Sequence, residues 1–180
     1  MADPLEDPLY YLHNFRQVLD WLGQRYADLL DADEVHFIQQ FDRLPQASQA
    51  LLVRMVMRKG VHFRAGKLNY LEIGCPHAAA HPLKALGWID DQCLLGFDEL
   101  FGLLQKGEVL GAFQPWIDQP KGKKTDWLEQ LAPQFTEQRR FAHWCPELDD
   151  VLYSLTVMDL CDRLRLLFFG NLHQDWSEFV

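Results

Sequence analysis

Residues 51–70 read LLVRMVMRKGVHFRAGKLNY and join an apolar helix pattern to a basic tail. Apolar residues fill most of positions 51–57, and Arg54 and Arg58 lie one turn apart on the narrow polar stripe that remains. This pattern predicts a mostly buried helix with a cationic edge, which Pro45 opens and Gly60 ends. The segment contains five Lys or Arg residues and no acid, although the whole chain of 180 residues has a formal net charge of −9.

Two short parts of an acidic chain carry a local excess of positive charge. Residues 43–71 contain six Lys or Arg residues and no acid, and the second run is KGKK at 121–124. Two basic islands in an acidic background favour local attraction to a polyanion. The acidic total argues against a protein that coats DNA with its whole surface, and it permits a narrow track of phosphate contacts.

The composition limits the class of protein. With 48% hydrophobic and 13% aromatic residues, the chain can bury a core and is not disordered by composition. It has no apolar run of 18 residues, and its acidic start, MADPLEDPLYYLHNF, lacks a basic n-region, so neither a membrane span nor a signal peptide is predicted. Four widely spaced cysteines without a CxxC motif are typical of reduced thiols. We therefore expect a cytoplasmic protein, associated with the nucleoid if it is bacterial.

The first half of the chain predicts three helices followed by a small β-hairpin. Apolar residues recur every three or four positions over residues 9–30 and again over 31–44, where Asp33 is the predicted N-cap. After the third helix, residues 61–73 alternate partly around Ala65-Gly66, which predicts two short strands and a turn. The expected fold is mainly α, with a winged-helix-like arrangement in this region.

The second half also predicts helices. A short helix is expected to end near Gly87, a second helical stretch in two pieces is expected over 96–116, and a loop followed by a helix over 118–135. Pro146 interrupts the chain, and residues 147–171 have the apolar spacing of one long helix. No flexible linker marks a boundary near residue 145.

Three long motifs carry a resemblance to a known family. They are YYLHNFRQVLDW, LLVRMVMRKGVHFRAGKLNYLEI and LRLLFFGNLHQDWSEFV. Together they resemble the N-terminal part of the Fanconi-anaemia-associated nuclease family, bacterial branch, and the resemblance covers essentially the whole chain. It implies a DNA-repair nuclease that cuts branched DNA such as 5′ flaps and helps to process interstrand crosslinks. The family layout is an N-terminal DNA-binding region with a SAP-type module, a helical-repeat region and a metal-dependent VRR-NUC nuclease domain.

The SAP-type resemblance lies on residues 102–131, GLLQKGEVLGAFQPWIDQPKGKKTDWLEQL. Gly122, Lys124, Trp127 and Leu128 match the Gly-x-Lys feature and the apolar helix positions of such modules, whereas the preceding FQPWIDQP departs from a compact SAP loop. A helix N-terminus beside ammonium groups suits a phosphate. The expected domains are residues 1–95 as a helical DNA-binding region, 96–145 as the SAP-type module, and 146–180 as the start of the next helical region.

The motifs of the nuclease site are absent from this chain. The family's site resembles a PD-(D/E)xK arrangement, in which carboxylates hold Mg²⁺ or Mn²⁺. The chain contains no Asp-x-Lys, no Glu-x-Lys and no Pro-Asp. We therefore expect no catalytic residue and no cofactor in this segment, with Mg²⁺ or Mn²⁺ serving a nuclease domain beyond it.

The last residues, which include Phe168, Phe169, Leu172, Trp176 and Phe179, predict an apolar surface. In a complete protein this surface should pack against the remaining helical and nuclease domains. In the chain alone, the predicted alternative is self-association.

The predicted DNA-binding residues come from the two basic islands. They are Arg54, Arg58, Lys59, Arg64, Lys67, Lys121, Lys123 and Lys124, with Tyr70 as a candidate for stacking on bases.

Two patterns of Cys and His suggest other chemistry. Cys75, His77, His81 and Cys93 are zinc-type ligands without the spacing of a standard finger. His143 and Cys145 are separated by two positions, which does not define a nucleophile pair.

Three hypotheses follow: a non-catalytic DNA-binding segment of a repair nuclease, a helical protein–protein interaction module, or an enzyme with a Cys/His site. The resemblance favours the first, with branched or flap DNA as the partner.

Overall fold

Helices dominate the computed structural model, which describes residues 6–170 and 174–179. The α-helices are α1 (Tyr10–Arg25), α2 (Ala32–Arg43), α3 (Gln46–Met57), α4 (Pro76–Ala85), α5 (Phe97–Leu103), α6 (Lys106–Phe113), α7 (Lys124–Leu131), α8 (Phe141–Trp144), α9 (Met158–Phe169) and α10 (Trp176–Phe179). The strands are β1 (His62–Arg64), β2 (Ile89–Asp90), β3 (Leu94–Leu95), β4 (Arg139–Arg140) and β5 (Leu152–Leu155). The expected mainly α class is confirmed. None of the helices in the described ranges has the length and apolar character to cross a membrane.

The chain folds into two compact units, and each unit is built from segments that are not contiguous in sequence. The N-terminal unit comprises residues 1–61, 68–90 and 155–180, and the central unit comprises residues 62–67 and 91–154. The boundaries expected after residues 95 and 145 stay predictions. Those boundaries divide the chain into consecutive segments, whereas in the structure residues 62–67 belong to the same unit as residues 91–154.

Apolar periodicity builds the N-terminal unit as the sequence predicts. One face of α1 is buried, and α3 is buried on almost all sides from Ser48 to Val56, apart from Arg54. The N-cap of α2 is Asp31 rather than the predicted Asp33: the backbone N–H of Glu34 donates to Asp31 Oδ1 at 2.8 Å, and the backbone N–H of Asp31 donates to Glu34 Oε1 at 3.1 Å. This reciprocal pair needs an acid at the N-cap and a second one three positions later, which Asp31 and Glu34 satisfy.

Aromatic side chains fill the core of the N-terminal unit. Phe15 lies 5.4 Å from Phe41 and 5.1 Å from Trp176 between ring centroids, and Phe168 packs edge-on against Trp21 at 5.2 Å. Two of the residues expected to form an exposed apolar end, Phe168 and Trp176, therefore contact α1 inside their own unit. Leu172 and the side chain of Phe179, which belong to the same expectation, lie outside the described residues.

The central unit has its own apolar core. Buried residues from α5, α6, α7, α8 and the adjoining strands form one cluster: Leu95, Phe97, Leu100, Phe101, Leu104, Val109, Phe113, Ile117, Trp127, Leu131, Phe141, Trp144, Cys145 and Leu152. The break between α5 and α6 confirms the two helical pieces expected over 96–116. β3 pairs with β4 in antiparallel register, Leu94 opposite Arg140 and Leu95 opposite Arg139.

The strand at 62–64 forms, but the predicted local hairpin is wrong. β1 pairs antiparallel with β5, so that His62 lies opposite Ser154 and Arg64 opposite Leu152, and residues 65–67 form a 3₁₀ turn instead of a hairpin loop. Gly66 explains the turn: its N–H donates to Asp150 Oδ1 at 2.9 Å, and a Cβ there would lie 3.1 Å from Asp150 Oδ2. The partner strand is therefore distant in sequence, which local alternation cannot reveal.

The long helix expected over residues 147–171 is also only partly present. Residues 152–155 form β5, which is buried at all four positions, and α9 begins at Met158 and ends at Gly170 in the left-handed conformation (φ +75°). A short apolar run that is buried throughout fits a strand or a helix equally well by periodicity. Pairing with β1 decides for the strand.

Candidate nucleic-acid interface

Arg54 occupies an intramolecular site at the polar edge of α3. Its Nη2 donates to Glu72 Oε1 at 2.7 Å, and its guanidinium lies 4.2 Å from the ring centroid of Tyr11 and 4.6 Å from that of Tyr70. The Tyr11 hydroxyl also donates to Glu72 Oε1, at 2.8 Å. Burial and the hydrogen bond to Glu72 raise the pKa of Tyr11. Arg54 is thus held between two rings and a carboxylate, which fixes the segment that carries Tyr70 and Glu72.

Arg58 and Lys59 follow the end of α3 and are exposed. Arg58 Nη1 donates to the Tyr70 hydroxyl at 3.3 Å, which places its guanidinium beside the loop 68–74. Tyr70 itself is half-buried, with its ring against Arg54. The structure therefore brings three of the predicted residues together, Arg54, Arg58 and Tyr70, and leaves the charges of Arg58 and Lys59 at the surface.

Arg64 lies in a different environment, inside the central unit. It is only 8% exposed, and its guanidinium forms ion pairs with two carboxylates: Nη1 to Glu108 Oε1 at 2.6 Å and Nε to Asp150 Oδ2 at 2.8 Å. Nη1 also donates to the carbonyl of Leu103 at 3.1 Å. We call Arg64, Glu108 and Asp150 the arginine clamp. Because the N–H groups of Arg64 donate to Glu108, Asp150 and Leu103, we do not include Arg64 among the proposed phosphate contacts.

The clamp shifts the ionisation of Arg64 and Glu108. The hydrogen bonds from Arg64 hold the pKa of Glu108 at about 2, well below its ordinary value, and the same bonds raise the pKa of Arg64. Both of these groups are therefore charged at neutral pH. A carboxylate that accepts two guanidinium N–H bonds is a strong, geometrically specific partner.

The remaining predicted cations of the central unit are mostly exposed. Lys67 ends the 3₁₀ turn, and Lys121 and Lys123 flank Gly122 just before α7. Lys124 is half-buried, and its Nζ donates to the carbonyl of Leu104, so this ammonium also serves the fold.

Gly122 determines the geometry of the KGKK loop. A Cβ at this position would lie 3.1 Å from both the Gln119 carbonyl oxygen and Trp127 Nε1, and Trp127 Nε1 donates to that same carbonyl at 2.9 Å. A side chain at this position would therefore require the Gln119 carbonyl and the Trp127 indole to shift by a few tenths of an ångström. This contact presents Lys121 and Lys123 in a defined position at the N-terminal end of α7.

The two Cys/His patterns gain no support as chemical sites. In the described parts of the chain, no three His, Cys, Asp or Glu side chains come together as a metal site would require. Cys145 is fully buried, and burial raises the pKa of its thiol to about 12. A nucleophilic cysteine needs a thiolate, so Cys145 stays protonated at neutral pH and belongs to the core.

Sequence reasoning missed the acidic and aromatic partners that hold these cations. Glu72, Glu108 and Asp150 come from outside the acid-free run, and Tyr11 comes from α1. Glu72 carried a signal, because it is the first acid after residues 43–71. The other partners are distant in sequence, and no local pattern indicates them.

Two family models match this chain, and both belong to one group of proteins. Residues 9–90 match the model described as "FAN1, HTH domain", and residues 94–144 match the "Fanconi anemia-associated nuclease SAP domain". A Fanconi-associated nuclease 1 homolog from Pseudomonas aeruginosa is 57% identical over 176 residues, which are 98% of this chain. The chain belongs to the Fanconi-associated nuclease family. The HTH match precedes the SAP match along the chain.

The family match extends to plants and to solved structures. A homolog from Arabidopsis thaliana is 26% identical over 183 residues, covering 94% of this chain and 20% of the relative. The crystal structure of paFAN1 bound to 2nt 5′flap DNA with gap matches with a TM-score of 0.93 and 56% identity, over 99% of this chain. A second paFAN1 structure, bound to 1nt 5′flap DNA with gap, matches with a TM-score of 0.91 over 96% of this chain.

The chain corresponds to only part of these relatives. It covers 32% of the Pseudomonas aeruginosa relative and 32% of the chain in each of the two paFAN1 structures. The matched part is the N-terminal portion of these nucleases.

Proposed function

We propose that this chain is the DNA-binding N-terminal segment of a structure-specific repair nuclease that acts on 5′ flaps in interstrand crosslink repair. The segment binds DNA by phosphate contacts and is not itself catalytic. Its proposed contacts are the exposed cations of the predicted set, Arg58, Lys59, Lys67, Lys121 and Lys123, with Tyr70 beside Arg58. Phosphate contacts of this kind position a protein on DNA without reading its sequence.

The observation that carries the proposal is the exposure of two cations, Arg58 and Lys59, at the end of α3 in an acidic protein. Arg58 and Lys59 are exposed within a run of 29 residues, 43–71, that has no acid. The nearest acid along the chain, Glu72, is paired with Arg54. The similar paFAN1 structures contain 5′ flap DNA, which supports the same class of ligand for this chain.

Hydrolysis requires parts of the protein that this segment does not supply. The residues described here do not offer a carboxylate cluster that fits Mg²⁺ or Mn²⁺. We therefore place the metal in a nuclease domain of the same protein and derive no catalytic step from this chain. The further helical and nuclease domains are its proposed partners, along with branched DNA, and the proposed location is the cytoplasm, with association to the nucleoid if the protein is bacterial.

Fluorescence anisotropy with a labelled 5′ flap at several salt concentrations tests the proposal. Arg58→Glu/Lys59→Glu should weaken binding to all sequences alike, and the slope of log K against log salt should become shallower by about 0.9 for each lost phosphate contact. Arg25→Glu/Lys84→Glu is the matched control, because it makes the same charge change at two exposed positions outside the acid-free run.

If both double variants weaken binding equally, only net charge matters and the track is wrong. If the wild-type chain binds a protein partner without salt dependence and does not bind DNA, the segment is a protein–protein interaction module instead.

A further inference from the structure

Leu71 is the most exposed large apolar residue in the described chain. Its side chain shows 103% of its reference area, whereas the next most exposed large apolar residues, Leu29 and Leu94, show 60% and 53%. Single exposed apolar residues are common on protein surfaces and usually need no explanation. Leu71 differs because its neighbours hold it in place.

The loop around Leu71 is fixed on both sides. Tyr70 packs against the Arg54 guanidinium, and Glu72 accepts hydrogen bonds from Arg54 and Tyr11. Ile73, the next residue, is buried, and the backbone N–H groups of Ile73 and Gly74 both donate to the carbonyl of Tyr70, at 3.1 and 3.0 Å. The turn closes at Gly74 in the left-handed region (φ +78°).

This arrangement holds the backbone on each side of Leu71 and directs its isobutyl group into solvent. The backbone around Leu71 therefore loses little conformational freedom when this side chain binds a partner.

The charge beside Leu71 favours a polyanion. Arg58 donates to the hydroxyl of Tyr70, and both residues belong, with Leu71, to the acid-free run of residues 43–71. Glu72, the only acid among residues 43–89, is paired with Arg54. One apolar side chain in a basic segment is too small for a stable protein interface, which requires on the order of 1,000 Å². It fits the apolar wedges that DNA-bending proteins insert between base steps, where phosphates lie on either side.

We propose that Leu71 is a wedge that enters the base stack of DNA at an interruption in the duplex. This inference rests on the proposed DNA binding and deepens it. Unstacking a base step costs a few kcal/mol in continuous duplex. The cost is lower where one strand is already broken, because the backbone of that strand no longer holds the two base pairs together. Leu71 would therefore contribute selectivity for nicked, gapped or flapped duplex, while Arg58 and Lys59 supply affinity that is independent of structure.

The test uses the 180-residue chain and a duplex with 2-aminopurine at a nick. The wild-type chain should raise 2-aminopurine fluorescence at the nick, and Leu71→Ala should abolish most of this rise. Leu71→Ala should also weaken binding to nicked duplex about tenfold, the loss expected for one apolar contact. Its binding to continuous duplex should stay unchanged. Leu71→Met, which keeps an apolar side chain of similar size, should restore the signal.

Leu29→Ala is the matched control, since Leu29 is an exposed leucine of the same unit outside the basic run. Equal fluorescence and equal nicked-duplex affinity for the wild type and Leu71→Ala would overturn the wedge while leaving the phosphate track intact. Absence of binding to any DNA by the wild type would overturn both. Unchanged DNA binding together with loss of docking to the remaining domains in the full-length protein would assign Leu71 to an intramolecular interface instead.

Discussion

Replacing Arg64 by leucine should strongly destabilise the central unit. The substitution removes one cation and leaves Glu108 and Asp150 as neighbouring carboxylates, whose side chains are only 20% and 9% exposed. Removing one partner of a buried ion pair costs about 3–5 kcal/mol, because the remaining charge is left unpaired. We expect Arg64→Leu to lower the free energy of unfolding by about 3 kcal/mol, toward the lower end of that range because Glu108 keeps some contact with water.

Urea unfolding followed by far-UV circular dichroism measures this loss. Hydrogen exchange at the amides of Ala65 and Gly66 locates it, because these N–H groups donate to Val151 and Asp150. Arg140→Leu is the control, since Arg140 is exposed on β4 and should change stability by less than about 0.5 kcal/mol.

Arg64→Leu/Glu108→Gln/Asp150→Asn should recover part of the loss, because it removes the two unpaired charges. A change below 0.5 kcal/mol in Arg64→Leu would show that the clamp does not stabilise the unit.

The same clamp predicts how stability depends on pH. The folded-state pKa of Glu108, about 2, lies below its ordinary value of 4.5, so its contribution is fully present above pH 4.5 and is lost as the pH falls toward 2. The size of this contribution is about 2–3 kcal/mol after solvent screening is allowed for. Glu108→Gln should remove this part of the acid dependence and leave the remainder. An unchanged acid profile in Glu108→Gln would assign the acid sensitivity to other carboxylates.

Three further predictions concern the KGKK loop, catalysis and the C-terminal end. Gly122→Ala should destabilise the loop by about 1 kcal/mol or more, because its Cβ would meet Gln119 and Trp127 at 3.1 Å; thermal unfolding and loss of protection at the Trp127 indole N–H would show it. The chain alone should leave flap DNA intact in Mn²⁺, and cleavage that co-purifies with it and stops with EDTA would contradict this. Self-association should be weak, because Trp176 is buried against Phe15, and Leu166→Gln should reduce it further in sedimentation velocity, since Leu166 is 42% exposed.

Elements whose stability comes from local pattern were predictable. The helices α1 to α3 follow the apolar spacing of the sequence, and the break between α5 and α6 lies where the two-piece pattern places it. Each of these helices satisfies its backbone hydrogen bonds within a few residues, so the information needed to predict it lies in the same window. The mainly α class follows directly.

Elements whose hydrogen bonds close over long distances were not predictable in the same way. β1 needs β5 as its partner, and the two are joined only in the folded chain, with Phe63 opposite Tyr153. A single short run such as residues 152–155 contains no periodicity that separates a strand from a buried helix. Local pattern therefore predicts a hairpin at 61–73 and one helix over 147–171, whereas the structure pairs β1 with β5 and keeps only the later part of that helix as α9.

In the candidate site, the sequence likewise indicates where the cations lie but not which acids pair with them. Charge counting along the chain predicts the basic run but does not distinguish its members. Arg58 and Lys59 are exposed, with Arg58 donating to the Tyr70 hydroxyl, whereas Arg54 pairs with Glu72 and Arg64 with Glu108. Because these acids come from other segments, the number of exposed cations is smaller than the sequence count.

The smaller number of exposed cations leads to a final prediction for how strongly DNA binding depends on salt. Five members of the predicted set are exposed: Arg58, Lys59, Lys67, Lys121 and Lys123. If each contacts one phosphate, log K for duplex DNA should fall with log salt with a slope no steeper than about −4.5, at about 0.9 per contact. All eight cations of the sequence-based set would give about −7 instead.

A titration from low to moderate salt separates these values, and Arg64→Leu, measured where it is still folded, should not change the slope. A slope steeper than about −4.5 that becomes shallower by about 0.9 in Arg64→Leu would mean that the arginine clamp opens when DNA binds, and that its two carboxylates compete with phosphate for the same guanidinium.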